Sequence, residues 1–390
     1  MFVTKLLRPI LLVLLAGGWC VAFPAHAGIV SGLYEARVPV ADQSPDARRT
    51  ALQQAFAAVL VRITGERTLS GPLTLLSSNA SQYLQQYRYE QAPAIPAVPM
   101  TPAANTAALQ TAVMPVLQLW ARFDSKVVNR AVQDAHAPLW GAERPTTMVW
   151  LALQDSATGR ILTATDTSVV MQGLTAAASA RGLNLVFPQM DGPDRTAIAI
   201  ADVSGAVPDH IHQASARYKP DAILVGDLYP SNATQFAARW QLWMGPQQFT
   251  WVTGSADETS VAADGVQVAA DRFAERLAMA PDAGDLNGVS LQVDGVSTLD
   301  AYARVLAYLG GLTPVRAVRV QRVEHNSLYL SVDAHGSLDN LQEAMVLGGT
   351  LQPVETAAPA ISAAAIATAV PPATAAIPAT PLHYLYTPSP

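Results

Sequence analysis

The apolar positions Leu52, Ala55, Phe56, Val59, Leu60 and Ile63 recur in steps of three and four, which places all six on one stripe of a helix. Ser44-Pro45-Asp46 upstream reads as its start: a hydroxyl cap, a proline whose missing N–H costs nothing, and a carboxylate at the positive helix end. Thr64-Gly65 reads as its stop. Arg48, Arg49, Gln53 and Arg62 fall off the stripe and read as a solvated face. Ahead of the helix, Leu33, Tyr34, Ala36, Val38 and Val40 mostly alternate, which predicts a strand over residues 30–40. The acids and bases crowded into "YEARVPVADQSPDARRT" are therefore a strand-to-helix joint rather than an active site. A second helix is expected over residues 73–86, with Leu76, Tyr83, Leu84 and Tyr87 inward. Strands over 87–91 and 116–123 follow, the latter with Leu117, Leu119, Ala121 and Phe123 on one face. A helix capped by Ser125 completes a β-α-α-β-β-α module.

The near-continuous apolar run of residues 146–155 is typical of a central strand, and "AILVGDL" (222–228) repeats that character. Helices over 169–181 and 208–218, with a short strand over 183–187, fill the space between. Gly245-Pro246 makes a two-residue hairpin turn that sets Trp240 opposite Trp251 and Leu242 opposite Phe249, as core pairs. A helix over 261–279 closes this region. Residues 284–354 then read β-α-β-β-α-β: strands near Val289, over 315–323, 327–332 and 351–354, and helices over 297–309 and 337–347. A ferredoxin-like sandwich is the natural closure. The fold class is α+β, with several small α/β modules in series.

Composition adds an address. Residues 1–27 hold Lys5 and Arg8, an apolar run, and Ala25-His26-Ala27, which reads as a signal peptide cleaved after Ala27. Trp19 before Cys20 argues against a lipoprotein. Cleavage removes the single cysteine, so no thiol chemistry, disulfide or cysteine metal ligand is expected. Two of the 24 Lys+Arg and none of the 30 Asp+Glu lie before the cut, so the net charge moves from −6 to −8. Lys126 and Lys219 are the only lysines left and no basic run exists, which excludes nucleic acid as a natural partner. No later stretch is apolar for long enough to span a bilayer. The expected domains are 28–137, 138–283 and 284–354, with an Ala/Pro-rich insertion at 92–115 and a disordered Ala/Pro-rich tail at 355–390. Tyr384-Leu385-Tyr386 near the end reads as part of a frayed tail, a docking peptide being the other reading.

Nucleotide-binding, zincin, nucleophile-elbow and Ser-x-x-Lys motifs are all missing. His210-x-His212 nominates no third metal ligand and reads as a pair of exposed histidines. Asp155 ends one apolar strand, and Asp221 and Asp227 flank another; strand ends in α/β layers host ligands, so Asp155 and Asp227 are the ligand candidates. No cofactor, metal or catalytic residue is nominated.

The blocks "LYEARVPVADQSPDARRTALQQAFAAVLVRITG", "QQYRYE", "LWARFD", "VNRAVQDA", "WGAERPTTMVWLAL", "ARYKPDAILVGDL" and "TLDAYARVLAYLGGLTPVRAVRVQRV" occur in this order. Over residues 33–354 they resemble a secreted proteobacterial envelope family catalogued as domain of unknown function 2066 (DUF2066). The first region is similar to amino-terminal modules of flagellar T-ring proteins. The middle region is similar to the amino-terminal domain of the Tol-system propeller protein (TolB-N-like) and to activator lipoproteins of penicillin-binding proteins. These resemblances imply a periplasmic, non-enzymatic adaptor or assembly factor that binds other cell-envelope proteins. The competing expectation is a periplasmic small-molecule-binding protein or unrecognised hydrolase with its pocket in the middle domain.

Overall fold

A computed structural model describes residues 30–92, 116–154, 159–280, 284–347, 349–354 and 381–387. The expected leader, the body of the 92–115 insertion, Asp155 and residues 355–380 lie outside them.

The first module runs β1 (Glu35–Pro39), α1 (Pro45–Thr64), α2 (Pro72–Ser78), β2 (Leu84–Ala92), β3 (Val116–Phe123) and α3 (Ser125–Asp134). Its antiparallel sheet has the order β1-β3-β2. Ser44 caps α1, its hydroxyl accepting from the Ala47 N–H at 3.3 Å, and Gly65 ends it at φ 76°. All six residues of the expected stripe are buried. The solvated face needs one correction: Arg62 is half-buried and donates to the Glu35 carbonyl at 2.5 Å. The second helix also stops early. Ser77 and Ser78 turn their hydroxyls back onto the Thr74 and Leu75 carbonyls, and Asn79 closes the turn on Leu75 and Leu76. Such side chains compete with the helical ladder, so Leu84 and Gln86 enter a strand and Tyr87 stays exposed. Asp124, rather than Ser125, caps α3. Glu35 and Arg37 of the stretch spanning β1 and the start of α1 join contacts on the outer sheet face, where Arg37 pairs with Glu90, Arg88 and Arg122 flank the buried Trp120 ring and Glu35 accepts from the Trp120 indole at 3.1 Å. Asp42 and Asp46 stay at the helix start, Asp42 accepting from the Ser44 N–H and Asp46 from Arg49.

The middle module is a sheet with two long helices on one face and a layer of three short ones over part of the other. It comprises β4 (Thr146–Gln154), β5 (Gly159–Ile161), α4 (Val169–Arg181), β6 (Asn184–Val186), α5 (Gly192–Ala197), α6 (Ile200–Ser204), α7 (Pro208–Ser215), β7 (Ala222–Asn232), β8 (Gln235–Met244), β9 (Gln247–Ser255) and α8 (Glu258–Leu277). Strand order is β5-β4-β7-β8-β9, with β6 also on β4. The alternation of β4 sends Val149 and Leu151 to the core under α4 and α8, and Met148, Trp150 and Ala152 to a second core under the α5–α7 layer. Gly245 takes φ 51°, and Trp240 pairs with Trp251 and Leu242 with Phe249, as the two-residue turn dictates. The Trp240 indole lies between Gly226 of β7 and Gly265 of α8. Sequence reading missed β5, α5 and α6, which are three to six residues long and too short for a period to register.

The third module is β10 (Asp285–Asp294), α9 (Leu299–Gly311), β11 (Val315–Glu324), β12 (Ser327–His335), α10 (Leu338–Val346) and β13 (Leu351–Pro353), the expected order of elements. Thr298 caps α9 where Ser297 was expected, and Ser337 caps α10. A strand from the chain's end, β14 (Leu382–Tyr386), completes the sheet as β11-β12-β10-β14-β13. The frayed-tail reading is thereby corrected for residues 382–386: Tyr384 and Tyr386 carry enough apolar surface to be buried in the third core.

Candidate functional site

The α5–α7 layer covers β4, β7 and the Trp243 end of β8, where His212 lies against Trp243, but leaves Arg239, Thr250 and Val252 of β8 and β9 exposed. The step encloses a cleft of about 460 Å³. Val203, Ser204, Gly205 and Ala206 form one wall, Gln241, Thr250 and Val252 the other, and Asp227 and Arg239 the floor. Val252 is 66% exposed. Among the described residues β9 pairs only with β8, so its outer edge presents unpaired backbone groups.

Asp227 reaches this floor because β7 alternates: Leu224, Gly226 and Leu228 face α4 and α8, and Val225 and Asp227 face the other way. The carboxylate is buried. One oxygen accepts from Gln154 Nε2 at 2.6 Å and the other from Arg239 Nη2 at 2.6 Å. This pairing holds the Arg239 guanidinium above its ordinary pKa, by the hydrogen bond first and the charge second. Both oxygens are thus engaged, and the cleft offers hydrogen-bonding and apolar contact. Asp221, just before β7, accepts from the Thr146 N–H at 2.8 Å and ties β7 to β4. Asp155, the other ligand candidate, lies outside the described residues.

The layer beside the cleft carries a charge network that sequence reading missed. Arg217 clasps both oxygens of Asp191, at 2.6 and 2.8 Å, and donates to the buried Asp194 at 2.8 Å. Tyr218 also donates to Asp194, at 2.6 Å, and burial followed by this bond pushes its phenol up to about 12. The only sequence signal was Asp191-Gly-Pro-Asp194, a helix-start pattern. His210 and His212 lie on α7, His210 bonded to Asp202 at 2.7 Å and His212 against Trp243. Two residues apart on a helix, they do not share a face.

Arg217, more than the backbone N–H of Asp194, holds the Asp191 carboxyl down to about 2, against 3.8 for a free aspartate. A carboxyl depressed on folding contributes stability above pH 3.8 that is lost as pH falls through about 2. Thermal melts from pH 5 to pH 2 are expected to fall more steeply for the native chain than for Asp191→Asn. Parallel curves over that window would refute the assignment.

A second cluster lies where the modules meet. Residues 139–147 are almost wholly buried, and adjacent side chains there grip opposite neighbours. Arg144 donates to the Arg62 carbonyl of the first module at 2.8 Å and stacks on Trp140, 3.4 Å from the ring centroid. Glu143 accepts from the Thr313 N–H of the third module at 2.8 Å. Burial pulls Arg144 down to about 9. Arg181 donates to the Gly65 carbonyl at 2.6 Å and pairs with Asp271. The sequence shows only an unremarked "ER" before an apolar strand.

A family model described as Domain of unknown function (DUF8605) matches residues 27–141. The match covers the first module and ends in the joint, just before Glu143. It agrees with the expected uncharacterised family in its coarse form, although the number is not 2066 and the span is not 33–354. No curated protein matches the chain. Among the described residues no helix is long and apolar enough to cross a membrane, and no group of three His, Cys, Asp or Glu is arranged to hold a metal.

Proposed function

We propose that the chain is a non-enzymatic adaptor or assembly factor, secreted to the periplasm, that docks other cell-envelope proteins through the open β9 edge of its middle sheet and the cleft beside it. One observation carries this reading: the ligand-candidate carboxylate of Asp227 is engaged by Gln154 and Arg239, while the surface beside it offers Val252, Thr250 and an open strand edge. Open edges with adjoining side-chain pockets suit extended segments of a partner. The charge pattern of residues 1–27 supports export. The ordered blocks support kinship with the DUF2066 family, and element order supports TolB-N-like and ferredoxin-like readings of the second and third modules.

The test is a photo-crosslinking residue at position 252 of the full chain in its native host, with one at exposed Leu75 as control. A discrete envelope-protein adduct at 252 and not at 75 is the expected result. Equal, diffuse labelling at both positions would sink the proposal. The cleft volume of about 460 Å³ also lies in the range of small-ligand pockets. In that second reading a metabolite screen would raise the melting temperature of the native chain but not of a Thr250→Trp variant that fills the cleft.

A further inference from the structure

The sheet of the first module has one edge at the joint between modules and one away from it. β1 lies at the joint, where Leu33 fills the space beside Gly182 and Arg62 bonds the Glu35 carbonyl. β2 is the other edge, and among the described residues it pairs only with β3. Which of its backbone groups stay open follows from β3. The Phe123 N–H donates to the Tyr34 carbonyl and the Leu117 carbonyl accepts from the Val40 N–H, both at 2.9 Å, so odd-numbered residues of β3 turn toward β1. Even-numbered ones turn toward β2, where Arg122, Trp120 and Gln118 stand opposite Gln86, Arg88 and Glu90. Tyr87, Tyr89 and Gln91 therefore turn their N–H and C=O groups outward.

Open edges are usually guarded by proline, lysine or a bulge. Here the register shift of β2 lies at its start, between Leu84 and Gln86, and residues 86–92 hold neither proline nor lysine. The charges of the edge are instead arranged about a centre. Arg88 and Glu90 stand on the outer face, one on each side of Tyr89. Glu90 accepts from Arg88 at 2.6 Å and from Arg37 at 3.0 Å, and the Arg88 side chain stays about half exposed. Tyr87, on the inner face, is 40% exposed.

We infer that β2 is a self-association edge, which pairs antiparallel with β2 of a second copy of this chain about a two-fold axis beside Tyr89. Outward groups can meet only outward groups, so the axis must pass beside a residue and not between two. Centred on Arg88 or on Glu90, the pairing sets like charges directly opposite each other, which is destabilising. Axes at Tyr87 or Gln91 run into the register shift or off the end of the strand. Centred on Tyr89, the pairing sets Arg88 opposite the partner's Glu90, and Glu90 opposite the partner's Arg88. These are non-hydrogen-bonded positions, where facing Cα atoms approach to about 4.5 Å and side chains meet most closely. On the inner face Tyr87 meets the partner's Gln91. Tyr87, Tyr89 and Gln91 of the two copies supply about six main-chain hydrogen bonds, and two three-stranded sheets become one continuous sheet. The pairing uses the same patch on both copies, so it closes at the dimer. β9 of each copy stays free, which makes this inference independent of the role given to that edge.

Charge exchange on the full chain tests it. Arg88→Glu leaves only carboxylates at positions 88 and 90, and Glu90→Arg leaves only guanidiniums, so each variant alone should dimerise about tenfold more weakly than the native chain. Mixed one to one, the two variants set opposite charges at both positions, and dimerisation should return. The double variant Arg88→Glu/Glu90→Arg restores the same complementarity within one sequence and should dimerise as the native chain does. Sedimentation equilibrium between about 1 and 100 μM reads the mass, and thermal melts show that each chain is folded. If a single variant does not fold, the double variant decides. A native chain still monomeric at about 100 μM, single variants that dimerise as tightly as the native chain, or complementary charges that restore nothing in the mixture or the double variant would each overturn the inference.

Discussion

Arg144→Ala is expected to destabilise the chain by about 2–5 kcal/mol, through lost hydrogen bonds and the cavity it leaves. The guanidinium is 1% exposed. It donates to the Arg62 and Trp140 carbonyls at 2.8 and 3.0 Å and lies over the Trp140 ring. Alanine leaves two buried carbonyls without their donor and opens a void beside an indole, and each loss alone is worth about 1–3 kcal/mol. Arg144→Met separates the contributions. Both variants remove the buried charge and the two hydrogen bonds, but the flexible methionine chain refills much of the volume against Trp140, so a loss of only about 1–3 kcal/mol is expected. Denaturant unfolding of both variants, with tryptic digestion under native conditions, is the measurement. The alanine chain should be cut between the first and middle modules at protease levels that spare the native chain. If Ala and Met unfold at the same midpoint as the native protein, Arg144 does not hold the joint.

Gly265→Ala should show the second large effect, with a sign opposite to helix propensity. In the middle of a helix this exchange ordinarily stabilises by about 0.8–1 kcal/mol. Here a methyl at position 265 would fall inside the van der Waals envelope of the Trp240 indole, whose other side is closed by Gly226, only 2.5 Å from where its own Cβ would stand. The ring cannot slide away without losing its bond from Nε1 to Thr253 at 2.9 Å, and Thr253 in turn donates to the Val261 carbonyl. Overpacking of this kind costs about 1–3 kcal/mol, occasionally more, which exceeds the propensity gain, so net destabilisation of about 1–2 kcal/mol is expected. Denaturant midpoints of Gly265→Ala, Trp240→Phe and the double variant form the test. The double variant should be more stable than the sum of the single losses predicts, because the smaller ring makes room for the methyl. Strict additivity would show that the two residues do not share the space.

The two clusters differ in how far the sequence announced them. Asp227 was nominated as the end of an apolar strand, but β7 runs on to Asn232 and places it mid-strand, where it lines the cleft. Its ion pair with Arg239 was not legible in the sequence: it arises because β8 pairs with β7 and sets residue 239 opposite residue 227. The joint was silent. Arg62 carried the spacing of a solvated helix face, yet the first and middle modules close over it. Arg181 ended a helix as a basic residue should, yet its guanidinium runs inward to the Gly65 carbonyl.

What the chain determined by itself is everything set by neighbours a few residues away. The stripe and caps of α1, the Gly245-Pro246 turn that registers Trp240 on Trp251, and the order of elements in the third module all follow from local periodicity and turn chemistry. What only the tertiary structure decided spans long separations: Arg144 on Arg62, Arg181 on Gly65, Glu143 on Thr313, Trp240 between two glycines, and β14 between β10 and β13. The same arginine is a solvated charge or a buried clasp according to which surface arrives opposite it. Periodicity along one element carries no information about that arrival, because the contact free energy exists only once distant segments have packed.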